Sequence, residues 1–367
     1  MKFKSLLINI PLAEFTRRLF RGGGISPKGI LMLPVYYIQL IAALPFCLLQ
    51  YLLYGSRIKK TKLAKDPIFI LGHYRSGTTY LHKLLASDPQ FGVLTNYDVL
   101  LPNINLLLGK KMQPFIQRII NLLKIKNPFF HQSLVQLSEP GEEDDYLMNK
   151  ASAYSAYWGL IYPKRWNAWL NGAYQFNDQH YADGWKKEYL YTLTYATFKN
   201  KGKQLVLKNP PNTERISMLL QMFPQAKFIY LHRNPFHLYY SMRNMWKNAI
   251  LNYYSVQAIN DEELDEIIFG HFEYLAEQYE KQKGNIPEGN LIELSYETLM
   301  SDPHLALSKI YSRLNIPGFD AAERDLLKFI EEEKKYTPFE YNFSDGTYKK
   351  IELRWGKYIR PYQHYAE

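Results

Sequence analysis

The short segment at residues 67–79, PIFILGHYRSGTT, constrains the fold of this chain more than any other. Its apolar run Ile68–Leu71 predicts a buried strand, which ends at Gly72, and a helix is predicted to begin at Gly77. A strand, a glycine-containing loop and a helix N-terminus in this order bring backbone N–H groups and the positive end of the helix dipole to one place. The segment therefore predicts an anion-binding loop in an α/β fold.

The spacing of this loop is close to that of a nucleotide-binding P-loop, GxxxxGK[ST], with Gly72, Gly77 and Thr79 in register. Thr78 occupies the position of the lysine that reaches the outer phosphates of a triphosphate. Arg75 still supplies a cation, and neighbouring hydroxyls add hydrogen-bond donors. The missing lysine argues against ATP or GTP hydrolysis. An ordinary strand-to-helix turn rich in small residues is the alternative.

Three further apolar runs, each followed by a helix-like segment, predict buried strands. They are residues 204–208, 227–232 and 290–295. Strands that alternate with helices predict a parallel sheet with helices on both faces, and ligands of such sheets bind at the carboxyl ends of the strands. The predicted ligand-binding edge therefore carries Lys208, Arg233 and Tyr296 beside the anion-binding loop.

A second anion site is predicted after the strand at 227–232. Asn234 suits a helix N-cap and Pro235 suits the first helical position, which places Arg233 at the edge of the sheet. Ser241 lies about two turns into that helix, on nearly the same face as its start. An arginine and a serine hydroxyl can bind one phosphate together. A salt-bridge role for the arginine and a packing role for the serine are the alternatives.

The net charge of +10 is concentrated at one end of the chain. Residues 1–65 contain eleven Lys and Arg and one acid, Glu14, so the rest of the chain is balanced in charge. A nucleic-acid-binding protein would carry its positive charge on the folded domain, so no nucleic-acid partner is expected. The distribution instead predicts attraction to an anionic membrane.

Residues 29–56 contain no charged residue and are long enough to span a membrane. Pro34 and Pro45 interrupt the run, and basic residues flank both of its ends, so the charges do not select an orientation. Three interpretations remain open: a transmembrane helix, a proline-broken helix lying in one leaflet, or a buried helix of a soluble domain.

Taken together, these motifs resemble those of the sulfotransferases that use 3′-phosphoadenosine 5′-phosphosulfate (PAPS). The resemblance covers about residues 66–312 and is greatest to a bacterial branch with an Arg-Ser-Gly-Thr-Thr loop. The matching segments are YRSGTT at 74–79, LKNPP at 207–211, HRNP at 232–235, the Arg233…Ser241 spacing and LSYETL at 294–299.

The resemblance implies a three-layer fold like that of the nucleotide kinases, with a central parallel sheet. It implies direct in-line transfer of a sulfuryl group to an acceptor hydroxyl, with an amine as second choice. The 3′-phosphate is assigned to Arg233 and Ser241, and Lys208 matches a catalytic lysine that contacts the bridging oxygen. No metal is expected. The residues assigned to the 5′-phosphosulfate are Arg75, Ser76, Gly77, Thr78 and Thr79.

The resemblance does not identify the catalytic base. Pro210 stands where many cytosolic relatives have a histidine, and Asn212 stands where chains of this branch often have one. The acidic segment 139–149 supplies the preferred candidate, Glu143, because a partly desolvated carboxylate has a raised pKa suited to proton removal. Helix capping alone is the alternative explanation of these acids. Less favoured candidates are Glu142, Asp144, Asp98, His73 and His82.

We therefore expect a basic, apolar membrane anchor over residues 1–65 and a sulfotransferase domain over 66–367, with a helical insertion on the acceptor side at 99–200. The expected acceptor is a lipid or another membrane-soluble molecule. The single cysteine, Cys47, favours a reducing compartment and so the cytoplasmic side of the membrane. The alternatives are a soluble carbohydrate or small-molecule acceptor, and a nucleotide-binding protein that is kinase-like or has no transferase activity.

Overall fold

The computed structural model divides the chain into two compact units. The first comprises residues 1–65, 92–205 and 247–259, and the second comprises 66–91, 206–246 and 260–367. The parts of the predicted anchor at 1–15 and 17–24 lie outside the described residues. The structure describes residues 16, 25–127, 129–150, 152, 154–166, 176, 178–333 and 345–359.

The strands form one five-stranded sheet and one hairpin. They are β1 Ile68–Leu71, β2 Phe91–Gly92, β3 Lys126–Asn127, β4 Phe130–Leu134, β5 Gln204–Lys208, β6 Lys227–His232 and β7 Leu291–Ser295. The order in the sheet is β2-β5-β1-β6-β7. β1 pairs in parallel with β5 and with β6, and β6 pairs in parallel with β7. The predicted α/β fold with a central parallel sheet is confirmed, and the last predicted strand begins one residue later than expected.

The helices surround these strands in the chain order expected of an α/β protein. They are α1 Pro27–Lys60, α2 Thr78–Ala86, α3 Asn96–Leu100, α4 Asn105–Leu122, α5 Glu143–Asn149, α6 Trp158–Ile161, α7 Gln179–Lys199, α8 Ile216–Met222, α9 Pro235–Met245, α10 Asp261–Gln282, α11 Tyr296–Ser301, α12 Pro303–Arg313, α13 Phe319–Glu333 and α14 Asp345–Ile359. Short 3₁₀ segments occupy Pro163–Arg165, Pro210–Glu214 and Lys283–Asn285, and a π-helical segment occupies Trp246–Tyr254.

The topology of the sheet positions the ligand-binding edge. β1 is buried along its whole length, as its unbroken apolar sequence requires. In register, Ile70 lies opposite Lys208 of β5 and Ile229 of β6. β5 lies on one side of β1 and β6 on the other, so the direction of strand addition reverses at β1. In open parallel sheets, ligands bind at the carboxyl ends of the strands at such a reversal.

Helix α1 runs unbroken through Pro34 and Pro45, so the proline-broken form of this helix is not found. A proline inside a helix costs about 3 kcal/mol. Both prolines lie on the exposed side, and the opposite side is packed: Leu33 and Tyr37 contact a core cluster that includes Trp158. This packing offsets the cost. By length and composition alone, Ile41–Lys60 could cross a membrane.

The segment 99–200 is less helical than expected, because it contains the antiparallel hairpin β3–β4. Helix α4 ends at Leu122, just before this hairpin. Asn127 precedes Pro128, and a residue before proline is restricted to extended conformations, which favours a strand here. The helix predicted to open in the acidic segment is present as α5, with Glu142 as its N-cap.

Candidate functional site

The loop between β1 and α2 depends on two glycines. Gly72 (φ +142°) would bring a Cβ to within 2.3 Å of the Leu231 carbonyl oxygen, and Gly77 (φ +93°) would bring one to within 2.3 Å of the Tyr296 ring. Neither position has room for a side chain. Helix α2 begins at Thr78 without a side-chain cap on its N-terminus. Its first backbone N–H groups have no partner within the helix and lie at the positive end of its dipole.

Two hydroxyl groups fix the shape of this loop from inside. The Ser76 hydroxyl donates a hydrogen bond to the His73 carbonyl at 2.7 Å, and the Gly72 N–H donates to Thr213 Oγ1 at 2.8 Å. Thr213 lies in the 3₁₀ segment that follows β5 and is fully buried. Thr213 was not among the predicted site residues, although its position just after the LKNPP segment is a signal that points to it.

Lys208 brings an ammonium group to the start of helix α2. It is the last residue of β5 and is only 3% exposed. Its Nζ donates a hydrogen bond to Thr79 Oγ1 at 3.1 Å. Lys208 therefore lies beside the loop at the edge of the sheet, as predicted.

The loop and helix α9 are joined by two arginines. Arg75, whose φ is +68°, donates from Nε to Ser241 Oγ at 3.0 Å. Arg233 donates from Nη1 to the Arg75 carbonyl oxygen at 2.9 Å. The guanidinium of Arg233 also lies over the Tyr296 ring at 4.4 Å. The residues of the two predicted anion sites are thus adjacent within the second unit.

Capping interactions hold Arg233 at this edge. Asn234 Oδ1 accepts a hydrogen bond from the Phe236 N–H at 3.0 Å, as expected for an N-cap. The Asn234 N–H donates to Glu297 Oε1 at 3.1 Å. Tyr296, next to Glu297, packs against Gly77, so helix α11 supports both the loop and the arginine.

The site carries three cations: Arg75, Lys208 and Arg233. They meet at the positive end of a helix dipole, which suits a ligand with more than one negative charge. Within the described part of the chain, no group of three or more His, Cys, Asp or Glu side chains is placed to hold a metal ion.

Glu143, the preferred candidate base, belongs to the first unit and opens helix α5. It is 1% exposed, and burial raises the pKa of its carboxyl group to about 8. Tyr189 donates a hydrogen bond to Oε1 at 3.2 Å, and Oε2 has no hydrogen-bond partner among the described residues. Its neighbours are engaged: Glu142 accepts from Tyr157, and Asp144 accepts from the Ala156 N–H.

Comparison with known proteins identifies the family. The model of a sulfotransferase family matches residues 67–321, which is more than half of the chain and includes every site residue of the second unit.

The chain belongs to the sulfotransferase family.

One related sulfotransferase is a mycobacterial enzyme. The omega-hydroxy-beta-dihydromenaquinone-9 sulfotransferase Stf3 of Mycobacterium bovis is 27% identical over 316 residues, which cover 85% of this chain and 79% of that protein. The protein of the same name from Mycobacterium tuberculosis matches equally well.

Two crystal structures of sulfotransferases share the fold. STF1 of Mycobacterium tuberculosis H37Rv has a TM-score of 0.69 at 16% identity and covers 95% of this chain and 90% of its own. STF9 of Mycobacterium avium has a TM-score of 0.68 at 16% identity, covering 92% and 87%. The predicted family and fold class are confirmed.

The surroundings of the less favoured candidate bases in this sulfotransferase favour structural roles for these residues. Burial lowers the pKa of both His73 and His82 to about 3, and each contacts a backbone carbonyl, those of Tyr74 and Val206. Asp98 closes a capping box with Thr95. It also accepts hydrogen bonds from Asn105, Tyr195 and Lys199.

Proposed function

We propose that this sulfotransferase takes its sulfuryl group from PAPS and transfers it in line to a hydroxyl of a lipid or another membrane-soluble acceptor. The observation that carries the proposal is the bonded set Arg75, Ser241 and Arg233 beside the anion-binding loop. PAPS has phosphate groups at both ends of its ribose, so its recognition requires two adjacent anion sites.

The loop is proposed to bind the 5′-phosphosulfate and helix α9 the 3′-phosphate. Arg75 donates a hydrogen bond from Nε to Ser241 Oγ, which places its guanidinium, a rigid fork of N–H donors suited to an anion, between the loop and helix α9. The Nε of Arg233 is buried without a hydrogen-bond partner among the described residues, so a ligand oxygen would satisfy it. Ser241 completes the 3′-phosphate site. The proposed loop ligands are Arg75, Ser76, Gly77, Thr78 and Thr79.

Lys208 is proposed to stabilise the leaving group. In the reaction, the acceptor oxygen forms a bond to sulfur while the bond from sulfur to the bridging phosphate oxygen breaks. Negative charge then accumulates on the departing phosphate. A buried ammonium held beside the first turn of α2 stabilises this charge without first reorganising water. No metal has a role in this proposal.

Glu143 is proposed to remove the proton from the acceptor hydroxyl. A general base works best when its pKa lies near the operating pH, and burial raises the pKa of Glu143 to about 8. Its Oε2 has no hydrogen-bond partner among the described residues, so one oxygen can accept a proton. The partners of Glu142 and Asp144 favour structural roles for those two acids.

A membrane-soluble acceptor is supported by two observations. The name of the mycobacterial relative specifies a dihydromenaquinone derivative as its substrate. In this chain, helix α1 has an apolar sequence flanked by basic residues. We infer that the protein is attached to an anionic membrane, with its catalytic residues on the cytoplasmic side. The boundary at residues 65/66 and the acceptor-side role of 99–200 stay predictions.

Transfer of labelled sulfate tests this function. Purified full-length protein would be given sulfur-labelled PAPS with either a membrane lipid extract or a water-soluble metabolite extract. We expect label in the lipid fraction, and much less with the Lys208→Ala or Arg233→Ala protein. Lys328→Ala, at an exposed position of α13, is the matched control. Label in the soluble fraction alone would replace the proposed acceptor with a carbohydrate or small molecule.

A further inference from the structure

Helix α1 is apolar on a side that nothing in the described chain covers. Large apolar residues on this side recur every three or four positions, and Leu31 is 79% exposed. From Leu31 to Leu53 the exposed side is about 33 Å long at 1.5 Å per residue. A soluble surface rarely leaves so long an apolar stripe in water, so this side has a partner. The exposed large apolar residues of α1 are Ile30, Leu31, Val35, Ile38, Ile41, Phe46, Leu48, Leu49, Leu52 and Leu53.

Helix α4, which contacts α1 within the same unit, extends this surface. Its end and the turn after it expose large apolar side chains, including Leu122 at 80% exposure. Exposed cations alternate with them, and residues 99–138 contain no acid. The exposed apolar residues are Phe115, Ile119, Leu122, Leu123 and Ile125, and the exposed cations are Lys110, Lys111, Arg118, Lys124 and Lys126.

Among the described residues, the other side of α1 is packed by protein near the start, in the middle and near the end of the helix. Leu33 and Tyr37 contact the Trp158 cluster near the start of the helix, and Ile58 is buried near its end. In the middle, Gln50 is 8% exposed. Its side chain donates to the Pro102 carbonyl and accepts from the Leu106 N–H. A spanning helix would carry this neighbouring backbone into hydrocarbon, where irregular backbone exposed to lipid does not occur.

We propose that α1 and the end of α4 form an in-plane membrane-docking surface that enters one leaflet of an anionic membrane without crossing it. This inference rests on the proposed membrane association and adds its geometry. Apolar side chains enter the boundary between headgroups and acyl chains, and the surrounding lysines and arginines contact anionic headgroups. A second copy of the chain is a poor occupant, because it would oppose one acid-free cationic surface with another.

Depth-dependent fluorescence quenching tests the in-plane geometry. In a Cys47→Ser background, single cysteines replace Leu31, Ile41 or Leu53, at the two ends and the middle of the exposed side, and each carries a fluorophore. Vesicles contain phosphatidylcholine and phosphatidylglycerol, with bromine near the headgroup or near the chain end. We expect equal, shallow insertion at all three positions, about 5–10 Å deep. Leu353→Cys, which replaces an 85% exposed leucine of the second unit, is the control.

The quenching pattern separates the possible outcomes. Greatest depth at Ile41, with the two ends near opposite surfaces, would show a spanning helix and overturn the proposal. Absence of vesicle binding together with dimerisation through this surface would also overturn it. Binding of 3′-phosphoadenosine 5′-phosphate (PAP), measured in detergent, should be unchanged in all of these variants. Retained PAP binding therefore separates a failure of docking from a failure of the sulfotransferase proposal.

Charge substitutions provide an independent measurement. Leu49→Glu should weaken binding to anionic vesicles at least about tenfold, because it removes buried apolar area and adds a repelled charge. Leu353→Glu, the matched control, should bind as the unmodified protein does. Lys110→Gln should weaken binding about fivefold to anionic vesicles only. Equal binding by the Leu49→Glu and Leu353→Glu proteins would refute the assignment of this surface.

Discussion

The sheet edge of the second unit and the helical first unit carry their chemistry in different ways. At the sheet edge, the proposed anion sites are built from backbone geometry, two glycines without room for a side chain, and three cations at or after the ends of strands. In the first unit, the candidate base Glu143 is a single carboxylate among helices rich in aromatic residues. The apolar surface of this unit comes from α1 and α4, which are separated in the sequence. Under the proposed assignments, donor binding depends on the geometry of the fold, whereas acceptor choice depends on particular side chains.

The largest expected effect is on the acceptor side. Glu143→Gln should lower kcat by about 10²–10⁴-fold, because it removes the base while keeping the shape of the side chain. In the unmodified enzyme, kcat should rise with pH as the Glu143 carboxyl, whose pKa is about 8, loses its proton. The variant should lack this rise.

Glu142→Gln is the matched control for that measurement. It changes the adjacent acid, which already accepts a hydrogen bond from Tyr157. We expect less than a tenfold loss and an unchanged pH profile. A greater loss of kcat in Glu142→Gln than in Glu143→Gln would show that Glu143 is not the base.

The next effect belongs to the donor side. Lys208→Ala should lower kcat by about 10²–10³-fold, because it removes charge stabilisation from the leaving group. The dissociation constant for PAP should change less than kcat, since the loop and the two arginines remain. Single-turnover transfer and calorimetry measure the two quantities. A loss of binding equal to the loss of rate would instead make Lys208 a binding residue.

Arg233→Ala should act on one phosphate alone. A hydrogen bond to a charged group is worth about 1.5–3 kcal/mol, so the affinity for PAP should fall by about 10–100-fold. The affinity for adenosine 5′-phosphate, which lacks the 3′-phosphate, should barely change. Arg324→Ala, at an exposed position of α13, is the control. Equal losses for both nucleotides would remove Arg233 from the 3′-phosphate site.

The smallest expected effect is on stability. The folded pKa of Glu143, about 8, lies above its ordinary value of 4.5, so its contribution to stability is complete below pH 4.5 and is lost as the pH rises through 8. Glu143→Gln stays neutral. It should therefore melt at a higher temperature than the unmodified protein at pH 8, with little difference near pH 4.5. Calorimetric melting at both values measures this, and a lower melting temperature at pH 8 would contradict it.

The sequence was sufficient for the sheet edge because each part of it has a local signal. Glycines, hydroxyls and Asn234-Pro235 specify a loop and a helix start wherever they occur after a buried strand. The contact between Arg75 and Ser241 could not be predicted from the sequence, because it depends on how β1 and β6 pair. The contact of Thr213 with Gly72 depends in turn on the pairing of β1 with β5.

In the first unit the sequence was less informative. The apolar run over residues 29–56 left a spanning, an in-plane and a buried helix open, and contacts such as those of Gln50 and Leu33 distinguish the two sides of the helix. The prolines predicted a break, but packing overrode this local preference. The hairpin β3–β4 lies within residues 99–200, where the sequence predicted a helical insertion.

The central claim is that two adjacent anion sites bind one doubly phosphorylated adenosine. Calorimetric titration of the full-length protein with PAP, adenosine 5′-phosphate and ATP–Mg tests it most directly. We predict that PAP binds about 10–100-fold more tightly than adenosine 5′-phosphate, and that ATP–Mg binds weakly, because Thr78 replaces the P-loop lysine. Tight binding of ATP–Mg with no response to PAP would contradict the account.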